Sequence, residues 1–313
     1  MKWRKIGFFE LPRGERPWMQ SHAQLPTPIV IDDNLVRVFF ATRTTSQRSH
    51  VTYVDLGISM DGKRVDVEKM SSTPTLSPGA YGCFDEHGVY PSCVVRSNGI
   101  YYLYFIGWNQ GVEAPLFYAS VGLATSEDGI NFERDSPAPL LARSRHDPCL
   151  VTSPHVYIDD SKWRMTYVSG IKWSRNADGG LQSHYHIKSA EGSGPRHWSR
   201  HGQIAIDFKP RETNIARPAV VKIRDGSYRM WYSYVSADIG KYRIGYAESV
   251  NGTDWIRMDN RAGVSLDSED CREMVCYPAV FEVAGRHYML YNGDQFGRAG
   301  FCIAKGEERG PQT

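Results

Sequence analysis

Polar turns cut the segment from Arg217 to Arg257 into apolar runs of strand length. The first run opens at Pro218 and reaches Ile223, and Asp225-Gly226 then turns the chain into an aromatic-rich run from Tyr228 to Tyr234. A third run ends at Gly245-Tyr246-Ala247, and Ser249-Val250-Asn251-Gly252 leads to a short strand beginning at Trp255. β-Branched and aromatic residues dominate each run, and Asn-Gly is a strong hairpin signal. The pattern predicts a four-stranded antiparallel meander.

The same unit recurs along the chain, and self-similarity at a long period decides the fold before any local detail. Pro28, Pro91, Pro154, Pro218 and Pro278 open the first strands, at spacings of 63, 63, 64 and 60 by subtraction. Second strands run Val36 to Ala41, Tyr101 to Ile106, Trp163 to Ser169, Tyr228 to Tyr234 and His287 to Tyr291. Closing turns match too: Ser59-Met60-Asp61-Gly62, Ser126-Glu127-Asp128-Gly129 and Ser249-Val250-Asn251-Gly252, with a looser version from Ser189 to Trp198. Radial repetition of four-stranded sheets is a β-propeller, which protects its sheet edges by closing into a ring. The fifth unit lacks a fourth strand after Ala304, where a polar tail begins, and Lys2-Trp3-Arg4-Lys5 resembles Asp254-Trp255-Ile256-Arg257. The N-terminus is therefore expected to complete the last blade. The expected architecture is all-β: a five-bladed propeller in one domain over 1–313, with blades near 20–70, 83–135, 145–200, 212–260 and 270–306 plus 2–9.

Bulk properties narrow the class. Lys+Arg and Asp+Glu, at 37 and 35, nearly cancel, which argues against a general nucleic-acid or membrane-surface binder. No apolar run reaches the roughly 18 residues of a membrane span, and the N-terminus lacks the apolar segment of a secretory signal. A cytoplasmic protein is expected. The six cysteines form no CxxC pair and are expected to stay reduced, Cys93 and Cys302 as small buried hydrophobes.

In such a ring the first strand of each blade lines the channel. The loop before that strand and the loop after the second strand open on one face, where candidate chemistry gathers. Counting back from each proline, His22, Asp85 and Glu212 lie six positions away, Glu86 and Glu273 five, and Asp147 seven. His87, Tyr90, Arg217 and Tyr277 share these loops. Loops after the second strands contribute Arg43, Trp108, Lys172-Trp173 and Asp294. Carboxylates, amides and aromatic faces together suit a sugar, and paired carboxylates do acid, base or nucleophilic work at an acetal carbon. The expected catalytic set is Asp85, Glu86, Asp147, Glu212 and Glu273. The expected substrate contacts are His22, Arg43, His87, Tyr90, Trp108, Trp173, Arg217, Tyr277 and Asp294. His184-Tyr185-His186 puts two histidines on one face without a third ligand, so no metal and no cofactor are expected.

The chain resembles the five-bladed β-propeller carbohydrate-active enzymes: the arabinanase/β-xylosidase, invertase/levansucrase and mannoside phosphorylase groups. The resemblance rests on the repeat, on Gly245-Tyr246-Ala247-Glu248-Ser249 with its Asn-Gly-x-x-Trp turn, on Gly122-Leu123-Ala124-Thr125-Ser126 and on Tyr291-Asn292-Gly293. It implies an Asp, Asp, Glu series on successive blades, an order that Asp85, Asp147 and Glu212 reproduce, with His146-Asp147-Pro148 like an Arg-Asp-Pro element. The series is offset by one blade, since the first blade has His22 and Gln24 there. The expected ligand is a carbohydrate or sugar phosphate, and the leading expectation is a glycoside hydrolase-like enzyme that acts on a glycosidic bond with carboxylates at the channel mouth; glycosyl transfer or phosphorolysis on a sugar phosphate or nucleotide sugar, or glycan binding without catalysis, are the alternatives.

Simpler roles compete. Glu212 and Glu273 have Arg217 and Arg272 nearby in sequence as ion-pair partners, and Asp147 before proline suits a turn. An arginine in the channel is costly unless paired.

Overall fold

Strand pairing follows the repeat. The computed structural model describes residues 1–307 apart from 13, 15, 177 and 268, so the tail beyond Glu307 lies outside the described residues. The first meander pairs Ser21–Val30, Leu35–Arg43, Ser49–Ile58 and Val65–Met70 in order, all antiparallel. The second pairs Gly88–Ser97, Ile100–Gln110, Phe117–Ser126 and the short Glu133–Arg134. In the third, Leu150–Asp159, Lys162–Arg175 and Leu181–Gly192 carry two short outer strands, Trp198–Ser199 and Ile204–Ile206. The fourth joins Glu212–Lys222, Tyr228–Ser236, Tyr242–Ser249 and Ile256–Arg257. The last joins Cys276–Val283, Arg286–Asn292 and Gly300–Glu307, and its outer strand is the N-terminal Lys2–Glu10. The first strands of these meanders touch one another in cyclic order, the last against the first.

Each sheet buries both faces, which is why second strands read as continuous apolar runs. Phe39 and Tyr53 of the first meander pack with Leu103 and Phe105 of the second. Tyr104 and Leu123 pack with Val156 and Tyr167 of the third, and Val168 and Ile187 with Met230 and Tyr232 of the fourth. Trp231 and Ile244 meet Met289 and Tyr291 of the last, and Leu290 and Phe301 close on Val36 and Phe40 of the first. Turns rest on side-chain acceptors. Asp128 Oδ1 takes the amides of Ile130 and Asn131 at 2.8 Å, Ser126 Oγ takes Gly129 N at 2.9 Å, and Gly129 sits at φ 69°. Asn251 does the same for Thr253 and Asp254 at 2.9 Å.

A bulge near the start of each first strand carries the proline signal. Ser153, Arg217 and Tyr277 precede prolines, take φ of 47°, 54° and 57°, and lie inside register shifts. In the first meander the matching residue is Leu25, φ 57°, between Gln24 and Thr27, so the registered proline is Pro26 and not the expected Pro28. Side chains then tie neighbouring first strands together. Ser92 Oγ donates to Pro154 O at 2.8 Å and His155 Nε2 lies 3.1 Å from Val220 O, while Asn292 Oδ1, at the end of the second strand of the last meander, accepts from Leu25 N at 2.8 Å.

Candidate active site at the mouth of the ring

Paired positions bring the two expected loop sets to one face: Ser21 opposite Arg43, Gly88 opposite Trp108, and Glu212 opposite Ser236. Around the mouth, Tyr90, Trp108, Phe117, Tyr185, Tyr234 and Tyr277 line one continuous apolar cluster. Tyr277 packs on Tyr242 at 5.6 Å and stacks on Phe296 at 6.1 Å. Burial, with Tyr185 and Tyr90 adjoining, raises the Tyr277 phenol well above its ordinary pKa, and Arg43 opposes the rise. Trp108 Nε1 donates to Ser49 Oγ at 3.1 Å, and the His87 ring lies 5.7 Å from the Trp108 ring. Gly88 permits this approach, because a Cβ there would meet Ser49 Oγ at 2.1 Å.

Cations crowd the same place. Arg43 Nη2 donates to Gln24 Oε1 at 2.7 Å, while its buried Nε has no hydrogen-bond partner. His22 beside it is buried, and burial followed by the charges of Arg43 and Arg298 lowers its pKa to about 4. Its imidazole is neutral at pH 7. Glu86, in the loop leading to Gly88, is the one expected catalytic residue without a lysine or arginine ion pair among the described residues. Gly82 N donates to its Oε2 at 2.6 Å, and this bond, followed by one from the Asn109 side chain, holds it below the usual carboxylate pKa; its Oε1 lies 3.3 Å from His87 Nδ1. Arg48 Nη2 caps its backbone oxygen at 2.5 Å.

The other acids are placed differently. Asp85 is 1% exposed, and its Oδ2 takes Nε and Nη2 of Arg134, both at 2.8 Å. Asp147, fully buried, takes Arg200 Nη1 and Ser144 Oγ at 2.8 Å and Tyr167 Oη at 3.2 Å, with Lys188 Nζ at 3.7 Å. Glu212 is clamped by Arg257 through two bonds of 2.7 and 2.9 Å. In each case the cation stands at or just beyond the outer strand of the same meander. The acidic repeat position is an internal lock, which corrects the expectation that these carboxylates converge as free acids. Glu212 is also not paired with Arg217. Lys5 of the N-terminal strand repeats the device, bonding Asp270 at 2.6 Å and Asp267 at 3.0 Å. The sequence signal, an aromatic residue two places before the cation, stands in Phe132-Glu133-Arg134, Trp198-Ser199-Arg200, Trp255-Ile256-Arg257 and Trp3-Arg4-Lys5.

Arg217, 3% exposed, crosses the axis instead of facing the mouth. Its Nη2 donates to Thr27 Oγ1 at 2.8 Å and Pro26 O at 3.1 Å, and its Nη1 to Ser92 Oγ at 3.1 Å, and burial lowers its pKa to about 10. It is a tie between first strands, which corrects its expected role as a ligand clamp. Glu273 meets Lys241 at 3.0 Å on the exposed rim. Asp294 takes the amides of Arg272, Glu273 and Met274 at 2.8 to 3.0 Å and so shapes its loop instead of facing a ligand.

Trp173 stands on a hairpin that outreaches the other meanders, edge-on to Phe117 at 5.8 Å. That hairpin is anchored to the second meander by Arg175 on Glu113 at 3.3 Å and to the fourth by Gln182 on Asn214 at 3.0 Å. His184 bonds Ser174 at 2.7 Å and His186 bonds Asp207 at 2.9 Å, so the two histidines have separate partners. Among the described residues no group of three His, Cys, Asp or Glu is arranged to hold a metal ion. Tyr242, on a third strand, and Phe296 and Arg298, beyond Asp294 in the last loop, stand outside the repeat positions that the sequence marks.

No family model matches the chain. Two relatives in Mycobacterium tuberculosis, "Uncharacterized protein MT1551" of strain CDC 1551 / Oshkosh and "Uncharacterized protein Rv1502" of strain ATCC 25618 / H37Rv, are each 37% identical over 307 residues, covering 97% of this chain and 99% of theirs. The chain belongs to their family. Part of it, 34%, is also 29% identical over 115 residues to a Beta-1,2-mannobiose phosphorylase of Thermoanaerobacter sp. (strain X514), covering 38% of that protein. Among solved structures, a glycoside hydrolase superposes with TM-score 0.71 at 16% identity, covering 98% of this chain and 92% of that one. A thermostable family-43 glycoside hydrolase gives 0.67 at 16% identity over 97% and 98%. The endo-arabinase of Bacteroides thetaiotaomicron VPI-5482 gives 0.63 at 15% identity over 94% and 97%. The fold of this family member is thus the β-propeller of the glycoside hydrolases. Fold leaves the reaction open, and the site must argue it.

Proposed function

We propose that the chain is one closed five-bladed domain and a carbohydrate-active enzyme that transfers a glycosyl group to or from a phosphate oxygen at the mouth. The carrying observation is charge. Arg43, whose side-chain partners are the amides of Gln24 and Gln47 and which has no carboxylate partner among the described residues, stands beside a neutral His22 in the field of Arg298, while Asp85, Asp147 and Glu212 are neutralised by cations of their own meanders. A site with spare cations and one anionic carboxylate suits displacement at an anomeric carbon with phosphate on one side. In the transfer direction the bond from carbon to phosphate oxygen breaks with its electrons going to phosphate, the acceptor oxygen bonds to carbon, and the acceptor proton passes to Glu86. Arg43 and Arg298 stabilise charge on the phosphate, the arrangement by which preorganised donors lower a barrier. Trp108, Tyr90 and Tyr277 offer apolar faces to the sugar ring. The part-length similarity to a mannobiose phosphorylase supports the same reading.

Hydrolysis of a glycosidic bond, the reading that the similar hydrolase structures favour, needs a second carboxylate, and among the described residues the expected acids other than Glu86 are each paired with a cation. The two are separated by assaying a panel of sugar 1-phosphates with acceptor sugars, and disaccharides with and without phosphate. The expected result is phosphate-dependent turnover, lowered about 100- to 1,000-fold in Arg43→Ala and in Glu86→Gln, with Glu212→Gln active per folded molecule. Equal turnover without phosphate, or an inactive but folded Glu212→Gln protein, would sink the proposal.

A further inference from the structure

A cavity of about 640 Å³ lies away from the mouth, beside the short outer strand Trp198–Ser199 of the third meander. Glu191, Ser193, Arg196, His197, Trp198 and His201 are among the residues lining it. It is an open groove, and its size falls within the range of small-molecule sites.

The lining is polar and its charges are already matched. Arg196 is held on Asp135 by bonds of 2.6 and 2.8 Å, and Arg200, at the far end, is held by Asp147 at 2.8 Å and Ala142 O at 2.8 Å. Fixed guanidinium groups present a constant surface and leave little excess charge to draw an anion. His197, His201, Ser193 and Glu191 are exposed groups that donate or accept hydrogen bonds. Trp198 has its one polar atom committed, Nε1 donating to Pro195 O at 3.0 Å, so what remains of the ring in the cavity is apolar surface. The ring is braced edge-on by Tyr104 at 6.2 Å and Trp163 at 6.5 Å. A braced aromatic wall among amphoteric hydrogen-bonding groups with balanced charge is the chemistry that recognises a polyhydroxylated ring. Hydroxyls take the polar groups, and the apolar side of the ring takes the indole.

We propose that this groove is a second carbohydrate-binding site, for an uncharged oligosaccharide, separate from the mouth. Titration of the full chain with neutral trisaccharides (a mannotriose, a xylotriose and an arabinotriose), followed by calorimetry, tests it. At least one is expected to bind saturably, with affinity reduced about tenfold or more in the His197→Ala/His201→Ala double variant. Both histidines are exposed, so that variant keeps its fold and its turnover at the mouth. Trp198→Ala is expected to weaken binding further, but the ring also packs in the sheet, so the histidine pair carries the decision. Three results overturn the proposal: no saturable binding by any of the three sugars, binding unchanged in the double variant, or tighter binding of a phosphorylated trisaccharide at the groove. Loss of phosphate-dependent turnover in Arg43→Ala concerns the mouth alone and leaves this outcome untouched.

Discussion

The second to fourth meanders and the seam between the last and the first treat charge in opposite ways. In the former, each acidic loop residue is buried against a cation from the outer edge of its own sheet: Asp85 on Arg134, Asp147 on Arg200, Glu212 on Arg257. At the seam, Arg43 is held by the amide oxygens of Gln24 and Gln47 and by no carboxylate among the described residues, and His22 stays neutral because burial and nearby cations forbid its charging. One kind of position closes a blade and the other leaves something undone for a ligand. A repeat position filled with acids is therefore weaker evidence of catalysis than a cation without a carboxylate partner, since the lock recurs in the second to fourth meanders and a site need not recur at all.

Breaking a lock is the largest effect the comparison predicts. Asp147→Ala strands Arg200 and Lys188, and removing one partner of a buried ion pair costs about 3–5 kcal/mol. Urea denaturation should show that loss, with a lower Tm. The double variant Asp147→Ala/Arg200→Met should recover part of it, because the cation left unpaired is gone. A single-variant cost below about 1 kcal/mol would mean that Asp147 is not a lock, and would return it to the list of candidate acids.

The meander itself was legible in the sequence, because hairpin turns and apolar runs are local signals. Even ring closure was, through the likeness of Trp3-Arg4-Lys5 to Trp255-Ile256-Arg257. What that likeness also held went unread: the cation of each triplet answers an acid some 45 to 53 residues earlier in the middle blades, as in Glu212 with Arg257 and Asp147 with Arg200. Spacing shows that two residues share a repeat position. It does not show that they touch, because the outer strand folds back over the loop only in three dimensions. The spacing points to Pro28 and not to Pro26 for the same reason, since the bulge at Leu25 that sets register leaves no mark in composition. Arg217 read as a clamp because its reach across the axis, to Thr27 and Ser92, depends on strands more than a hundred residues away.

At the seam the predicted effect is a pH dependence. His22 has a native pKa of about 4 against 6.5 in the unfolded chain, where solvent and distance remove both burial and the two arginines. Above pH 6.5 neither state binds the proton and His22 is neutral in its effect. Between 6.5 and 4 the unfolded state binds it first, so stability falls as pH falls, by about 2–3 kcal/mol in all, and levels off below 4. His155, also lowered to about 4 by burial, adds a similar slope from inside the ring. His22→Asn suits the φ of 68°, where Asn is tolerated, and should remove the His22 share of an acid sensitivity to which His50, His184 and His186, whose pKa values are also lowered by burial, add as well. The measurement is the difference between variant and wild-type unfolding free energies at pH 7, 5 and 4. A difference that does not change with pH would show that His22 is not held among cations, and with it the positive character of the mouth would be lost.

The smallest effect comes from the lock that differs most from its siblings. Lys5 is on the closing strand, 23% exposed at its side chain, and answers Asp270 and Asp267 instead of one buried acid. Burial works against its charge, but the bonds to Asp270 and then Asp267 outweigh it, so its pKa is raised. Water reaches this pair, and a partly exposed ion pair contributes only about 1 kcal/mol, reduced further by salt. Lys5→Met should therefore cost about 1 kcal/mol or less at low ionic strength, and the cost should shrink in 1 M salt, whereas that of Asp147→Ala should barely change. The contrast discriminates two accounts of closure. If Lys5→Met proves as costly as Asp147→Ala and as insensitive to salt, the N-terminal strand is held chiefly by its charge. If the cost is small, closure rests on the ladder from Lys2–Glu307 to Glu10–Gly300 and on Phe9 stacked against Phe301 at 4.8 Å, and the cation is a register pin on a seam already sealed by backbone and apolar contact.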